Sequence, residues 1–384
     1  MFRKRLPELL LLAGTLAFMA IVGEVGLRVV QKVRYGTPFF TMLPGSRDAT
    51  FQRSPFLVFG PRVGWDANKV FQHTGNPLWT RFNDMGIRLP GPVPPRQEGE
   101  IRVLALGGST TENVWNKLGI HWSLGLECLL RQRGRDEVRV LNAGMSSYTT
   151  AHSLVRYQLD LSDLEPDVVL IMHNINDLSV TYYAAATARE VDPNYLVEFG
   201  RPAFTQHVDE DDVVLSRLLH AAKVRLFPSG TGLLPSDQWH YDLTRGEEFF
   251  RRNLKLLIEA VRASGATPVL LTMPMSRDPR WVEEARRGQA GVPGLSLLPE
   301  PERFHADFDA FNEVIRDVGK SEGVTVVDME KGVGDPPGDF ADMVHYTTDG
   351  IRTFSRALDA AADGFLPPPT GAVLSDTVTC QGVF

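Results

Sequence analysis

A serine after a small-residue turn, and an acid-x-x-histidine pair more than 200 residues downstream, are the features of this 384-residue chain that point most directly to chemistry. The first is Ser109 in Leu106-Gly107-Gly108-Ser109-Thr110-Thr111, and the second is Asp342-Met343-Val344-His345. A serine hydroxyl is a weak nucleophile. It needs a base to take its proton, an acid to orient that base, and donors to hold charge on the attacked carbonyl oxygen. His345 offers the base, and Asp342 can sit under the far nitrogen of its ring and fix the tautomer. For the donors, Leu141-Asn142-Ala143-Gly144 presents the backbone N–H of Gly144, and Asn174-Ile175-Asn176-Asp177 presents the side-chain amide of Asn176.

Each piece also has a plain structural reading. Ser109 could be the N-cap of a strand-to-helix turn, Gly144 a turn residue, Asn176 a helix cap and His345 a hydrogen-bonded structural histidine. With nine histidines and 47 acidic residues, about one acid-x-x-His pair is expected by chance, and three occur. Asp237–His240 falls in a long insertion. Glu302–His305 heads a helix, where it reads as a cap or solvated face. Asp342–His345 alone lies between the last strand and the last helix. Three consecutive strand ends thus deliver Ser, Gly and Asn, and the final one delivers Asp-x-x-His.

Competing chemistries fit poorly. No lysine stands where a P-loop needs it, the glycine spacing is not G-x-G-x-x-G, and Thr111 occupies the second glycine position of a G-x-S-x-G elbow. The histidines form no His-x-x-x-His or His-Glu-x-x-His pair, so neither a metal nor any other cofactor is expected. Net charge is −7. Residues 1–34 hold a net +4, which leaves −11 on the rest, so an acidic body argues against nucleic acid as a partner.

The elements that must position these residues run from 101 to 366. Continuous apolar runs at 101–106, 138–142, 168–172, 268–272 and 324–327 read as strands buried on both faces. Helical periods fall at 121–133, 150–161, 247–264, 304–321 and 350–363. This alternation predicts a doubly wound α/β domain with a parallel sheet of about five strands, whose carboxyl edge binds ligand. Insertions are expected at 178–245, with Tyr182, Tyr183 and Trp239, and at 275–302. The tyrosines and Trp239 could line a site or form a small core of the insertion itself, and the second reading is favoured. Residues 35–100 read as an irregular extension closed by the Pro-rich linker 89–95. Residues 367–384 read as a loose tail that leaves Cys380 exposed. The two cysteines, Cys128 and Cys380, are too few for a disulfide framework.

With these motifs in order, the region 101–365 resembles the SGNH/GDSL hydrolase family. Gly107-Gly108-Ser109 stands for its Gly-Asp-Ser, and Asn174-Ile-Asn176-Asp177 for its Gly-x-Asn-Asp. The resemblance implies a flavodoxin-like three-layer α/β/α sandwich and metal-free hydrolysis or transfer of acyl esters. It also implies Ser109 as nucleophile and first oxyanion donor, Gly144 and Asn176 as the other donors, and His345 with Asp342 as base and partner.

Residues 1–34 carry Arg3, Lys4 and Arg5 before an apolar run from 9 to 23. Reaching 30 makes the segment long enough to span a bilayer but takes in Glu24 and Arg28, which are expected near the interface. Ala17 and Ala20 only approximate a cleavage site, so an uncleaved anchor is favoured over a cleaved signal peptide. The basic start favours a cytoplasmic N-terminus and a body outside the cytoplasm, secreted if cleavage occurs. The chain therefore reads as an envelope-anchored acyl-ester hydrolase acting on a glycan or lipid ester. A non-catalytic, membrane-tethered binding protein that retains the fold is the alternative.

Overall fold

The computed structural model describes residues 2–35, 51–54, 56–61, 64, 66–67, 73–186, 242–286, 298–376 and 378–384. The chain divides into two compact units, residues 1–49 with 206–233 and residues 50–205 with 234–384.

In the first unit, α1 (Phe2–Tyr35) is one helix. Its window Leu11–Val30 spans 20 residues and is long and apolar enough to cross a membrane, rising about 30 Å, the thickness of a hydrocarbon core. Leu11, Phe18, Met19 and Ile21 are each more than half exposed. Glu24 and Arg28 lie one helical turn apart and form an ion pair at 2.7 Å. Together they add no net charge to the span.

The second unit opens with an antiparallel hairpin, β1 (Phe51–Ser54) and β2 (Val58–Pro61). The main sheet follows in β3 (Ile101–Gly107), β4 (Val138–Asn142), β5 (Val168–Met172), β6 (Thr267–Leu271) and β7 (Thr325–Val327). Its order is β4-β3-β5-β6-β7, and every pairing is parallel. The chain steps from β3 outward to β4 and then crosses to β5 on the other side, so the carboxyl ends of these three strands part around a crevice. All residues of β3, β4 and β5 are buried, which accounts for their unbroken apolar sequence.

Helices cover both faces. On one, α3 (Trp122–Gln132) packs on α10 (Thr348–Ala361); on the other, α4 (Thr150–Arg156), α5 (Ile175–Ala186) and α8 (Pro301–Glu322) pack on α6 (Leu243–Ala263). Their ends follow local capping chemistry. The Asp242 side chain accepts from the Arg245 N–H, and Thr347 accepts from the Gly350 N–H. Pro301 starts α8, and Gly323 ends it with a left-handed φ of 62°. The expected fold class, a flavodoxin-like α/β/α sandwich with a five-stranded parallel sheet and an apolar N-terminal helix, is the observed one.

Several expectations need correction. The tail 367–384 is not loose. Cys380 is bonded to Cys128 of α3, Leu374 and Val383 are buried, and the Trp79 indole N–H donates to the Thr379 carbonyl at 3.2 Å. Cys380 is therefore not an exposed thiol. The Pro-rich stretch is no free linker, since Leu89 and Val93 pack against the main core and Arg102 donates to the Pro94 carbonyl at 3.2 Å. The insertion expected from 178 instead begins as the second half of α5. Tyr182 on that helix is buried in the main core and donates to Asp307 at 3.0 Å, so it belongs neither to a separate insertion core nor to an exposed wall. Residues 187–241, with Trp239 and the Asp237–His240 pair, lie outside the described residues, as does the Tyr183 side chain. Within 275–302, α7 (Pro279–Arg286) forms and 287–297 lie outside them.

Candidate active site

The carboxyl edge of the sheet brings Ser109, His345 and Asp342 into one chain of hydrogen bonds. β3 ends at Gly107, and Ser109 is the first residue of the short helix α2 (Ser109–Glu112). As a first-turn residue, its N–H has no carbonyl behind it to bond. A Cβ on Gly108 would press on the Asn176 amide nitrogen, so a larger residue there requires the end of that side chain to shift. The Ser109 hydroxyl donates to His345 Nε2 at 2.7 Å, and the His345 Nδ1–H donates to Asp342 Oδ2 at 2.6 Å. Asp342 Oδ1 accepts the N–H groups of Val344 and His345, both at 2.8 Å. The carboxylate thus organises its own loop as well as the imidazole.

That loop is closed by the Phe340–Tyr346 bridge, by the Ala341 N–H donating to the His345 carbonyl at 2.8 Å, and by the Ser276 N–H donating to the Met343 carbonyl at 2.9 Å. Burial disfavours the His345 imidazolium, but contact with Asp342 outweighs it and holds the histidine above its ordinary pKa. Burial likewise works against ionised Asp342, and the adjacent imidazole with the two backbone N–H groups pulls its pKa below the ordinary value.

The two expected donors differ. Asn176, on the first turn of α5, directs its amide Nδ2 at the Tyr148 carbonyl, 2.8 Å away. An amide nitrogen carries two hydrogens, so one remains for a ligand. The Gly144 N–H, in contrast, is committed to Asn142 Oδ1 at 2.9 Å. Gly144 is glycine for close packing: a Cβ would lie 2.5 Å from the Glu112 nitrogen. Further along the same turn, Ser147 holds a left-handed φ of 68°. The Ser146 N–H beside it bonds Glu112, and the Tyr148 N–H bonds the Met145 carbonyl. Residue type gave no warning of Ser147, since a non-glycine residue in this conformation shows only in the backbone.

Other contributors were also missed. Arg88, from the extension, is buried and donates to the carbonyls of Glu112 at 2.8 Å, Gly119 at 2.6 Å and Trp79. It thereby ties the C-terminal end of α2 to the extension. Burial lowers its pKa to about 10, so it stays charged at neutral pH. Asn174, which stands where the resembled motif has glycine, turns its amide to the Phe308 carbonyl and Asn312 Oδ1, both at 3.0 Å, and so fastens the end of β5 to α8. Asp177 accepts from the Thr150 hydroxyl at 2.5 Å, joining α5 to α4. Trp115 stands 47% exposed, with its ring 5.5 Å from the His345 ring. The third acid-x-x-His pair, Glu302–His305, lies on the first turn of α8, with Glu302 exposed. No group of three or more potential metal ligands occurs among the described residues.

The model of the GDSL-like lipase/acylhydrolase family matches residues 105–352. No curated protein sequence matches the chain. Among solved structures, a lipase/acylhydrolase from Enterococcus faecalis is 18% identical, with 70% of this chain and 98% of that one covered at a TM-score of 0.42. A GDSL-like lipase from Bacteroides thetaiotaomicron is 14% identical, covering 71% and 92% at 0.40. A catalytic mutant of an acetylxylan esterase from Geobacillus stearothermophilus is 16% identical, covering 68% and 93% at 0.40. The family match takes in well over half of the residues, including all five strands of the main sheet but the start of the first, and on it the chain belongs to the GDSL-like lipase/acylhydrolase family.

Proposed function

We propose that this chain is a membrane-anchored serine hydrolase of acyl esters, with Ser109 as nucleophile, His345 as general base and Asp342 as its orienting partner. The supporting observation is the unbroken hydrogen-bond chain from Ser109 Oγ through both ring nitrogens of His345 to Asp342. A binding protein that merely kept the fold would have no use for it.

His345 takes the Ser109 proton as the hydroxyl oxygen attacks the ester carbonyl. The negative charge on that oxygen is held by the Ser109 N–H, the second hydrogen of the Asn176 amide and the N–H of Ser147, which replaces Gly144 in this role. The imidazolium then protonates the leaving alcohol. A water activated by His345 cleaves the acyl-serine and restores the enzyme. An alcohol in place of that water makes the same site an acyltransferase.

The location rests on two features. α1 is long enough to anchor the chain, and the Cys128–Cys380 bond is of a kind that persists in oxidising compartments. With Arg3, Lys4 and Arg5 ahead of the span, the N-terminus stays in the cytoplasm and the hydrolase unit faces outward. Acyl esters of envelope glycans or lipids are the substrates within reach there. The deciding experiment is covalent labelling of Ser109 by a fluorophosphonate, located by peptide mass, together with turnover of a panel of acetylated sugars and graded acyl esters. Absence of both labelling and turnover ends the proposal.

Two outcomes follow from the geometry. Asn176→Ala should lower kcat on the order of 100-fold with little change in KM, as expected for one oxyanion donor; steady-state kinetics on an aryl acetate measures it. Activity needs neutral His345, so kcat/KM should rise with pH through a value above the ordinary histidine pKa. Asp342→Asn removes the charge that favours the imidazolium. It should move this acid limb to lower pH while cutting the plateau rate, and a limb that stays in place would argue against His345 as the base.

A further inference from the structure

We infer that Glu112 is a positioning residue of this site: its buried side chain, bridging the nucleophile's helix and the Ser146–Ser147 turn, keeps the backbone N–H of Ser147 in register with Ser109. The inference rests on the reading of the site given above and extends it by one residue.

Glu112 is the last residue of α2, three positions after Ser109, and has no exposed surface. Its Oε2 accepts both the backbone N–H of Ser146, at 3.0 Å, and the Ser146 hydroxyl. Its Oε1 is buried with no partner. Arg88 directs its Nη1 at the Glu112 main-chain carbonyl and its Nη2 at the carbonyls of Trp79 and Gly119. Burying an acid without a contacting cation is costly, and an apolar side chain would fill the space at no such cost. What the acid supplies is a two-fold grip on Ser146.

The neighbouring Ser147 needs that grip. A serine at φ 68° holds its conformation only when its surroundings enforce it. The start of the turn is fixed by Asn142, whose amide donates to the Thr111 carbonyl at 2.7 Å and whose oxygen accepts the Gly144 N–H. The far end is fixed by Glu112. The nucleophile's helix and the oxyanion turn are therefore tied at two points, and the second lies next to the proposed donor.

The charge has its own effect. The charged or titratable groups that face the carboxyl are Arg88, from the extension, and His345, from the loop before α10; the Tyr148 phenol also feels it. Burial raises Glu112 to about 7, against the opposing pull of Ser146, Arg88 and His345. It therefore ionises across the neutral range. Once ionised, it favours the His345 imidazolium that forms as Ser109 attacks. Glutamine keeps the grip on Ser146 and loses the charge; alanine loses both.

The test compares the full chain with Glu112→Ala and Glu112→Gln on an aryl acetate, recording kcat, KM and the pH dependence of kcat/KM. Glu112→Ala should lower kcat by about 10- to 100-fold with KM within about twofold, a loss on the scale of a misplaced oxyanion donor. Glu112→Gln should recover most of kcat, with the acid limb of kcat/KM at lower pH than in the wild type. If alanine fails to fold, the glutamine profile decides alone. A glutamine variant with an unmoved acid limb, or with kcat as low as alanine's, overturns the inference. Ser109→Ala in the same assay separates the two levels: if it retains turnover, the reading of the site fails, whereas an inactive Ser109→Ala beside wild-type behaviour of both Glu112 variants sinks only the role of Glu112.

Discussion

Ser109→Ala should lower kcat on an aryl acetate by about 10⁵-fold or more and abolish fluorophosphonate labelling, with the melting temperature nearly unchanged. The size follows from how a triad works. Without the hydroxyl no acyl-enzyme forms, and what remains is substrate binding and oxyanion stabilisation of direct attack by water. The neighbours cannot substitute. The hydroxyls of Thr110 and Thr111 are buried and bond nothing, while His345 Nε2 is directed at Ser109. The cost to folding is small, because the lost hydrogen bond is worth about 1 kcal/mol. Rates of the two proteins and an intact-mass search for the acyl-enzyme check it together. A variant with a tenth of wild-type activity would mean that the nucleophile is elsewhere.

Cys380→Ser should cause the largest loss of stability of any single change that leaves the site intact. The bond to Cys128 closes a loop across a sequence separation of 252 residues. On the chain-entropy account a loop of that length is worth about 5 kcal/mol, with less delivered in practice. For a domain of this size that corresponds to a fall in melting temperature on the order of 10 °C. The tail holds further contacts that release together. The Val383 carbonyl accepts from Arg352 Nε at 2.7 Å, and Phe384 lies under the Arg356 guanidinium. Asp376 pairs with Arg139 at 2.6 Å. Thermal melting of the wild type with and without reductant, beside the variant, measures the effect. Coincident curves would show that the bond contributes nothing to stability. Esterase activity below the new transition should persist, because neither cysteine touches the triad.

The comparison of sequence with structure separates along the range of the forces involved. Strand positions were legible because burial on both faces demands unbroken apolar residues, and 138–142 and 168–172 agree with β4 and β5 to the residue. Helix α5 was missed because its first turn carries Asn176 and Asp177, whose types mark caps and turns, and its polar residues are satisfied by partners from distant elements. The extension was unreadable because its anchors are single side chains. Arg88, for example, is bonded to three carbonyls in as many segments, and no periodicity announces such a contact.

The site divides in the same way. Ser109, Asp342, His345 and Asn176 could be picked out because each sits at a strand end or next to a helix start, and topology alone carries those places to one edge. Gly144 was chosen as a donor on residue type, and its N–H proved to be held by Asn142, two residues back. Choosing among adjacent amides of one turn depends on backbone dihedrals, which small residues leave open.

By itself, the amino-acid sequence determined the five strands of the main sheet, the apolar N-terminal span and the candidate nucleophile, base and acid, because hydrophobic period and residue type are local properties. Only the tertiary structure decided that the Gly144 N–H is taken by Asn142, that Glu112 is buried and bonded to Ser146, and that the last residues are fastened to α3. Those outcomes turn on contacts between positions tens to hundreds of residues apart, whose energies exist only once the chain has closed around its sheet.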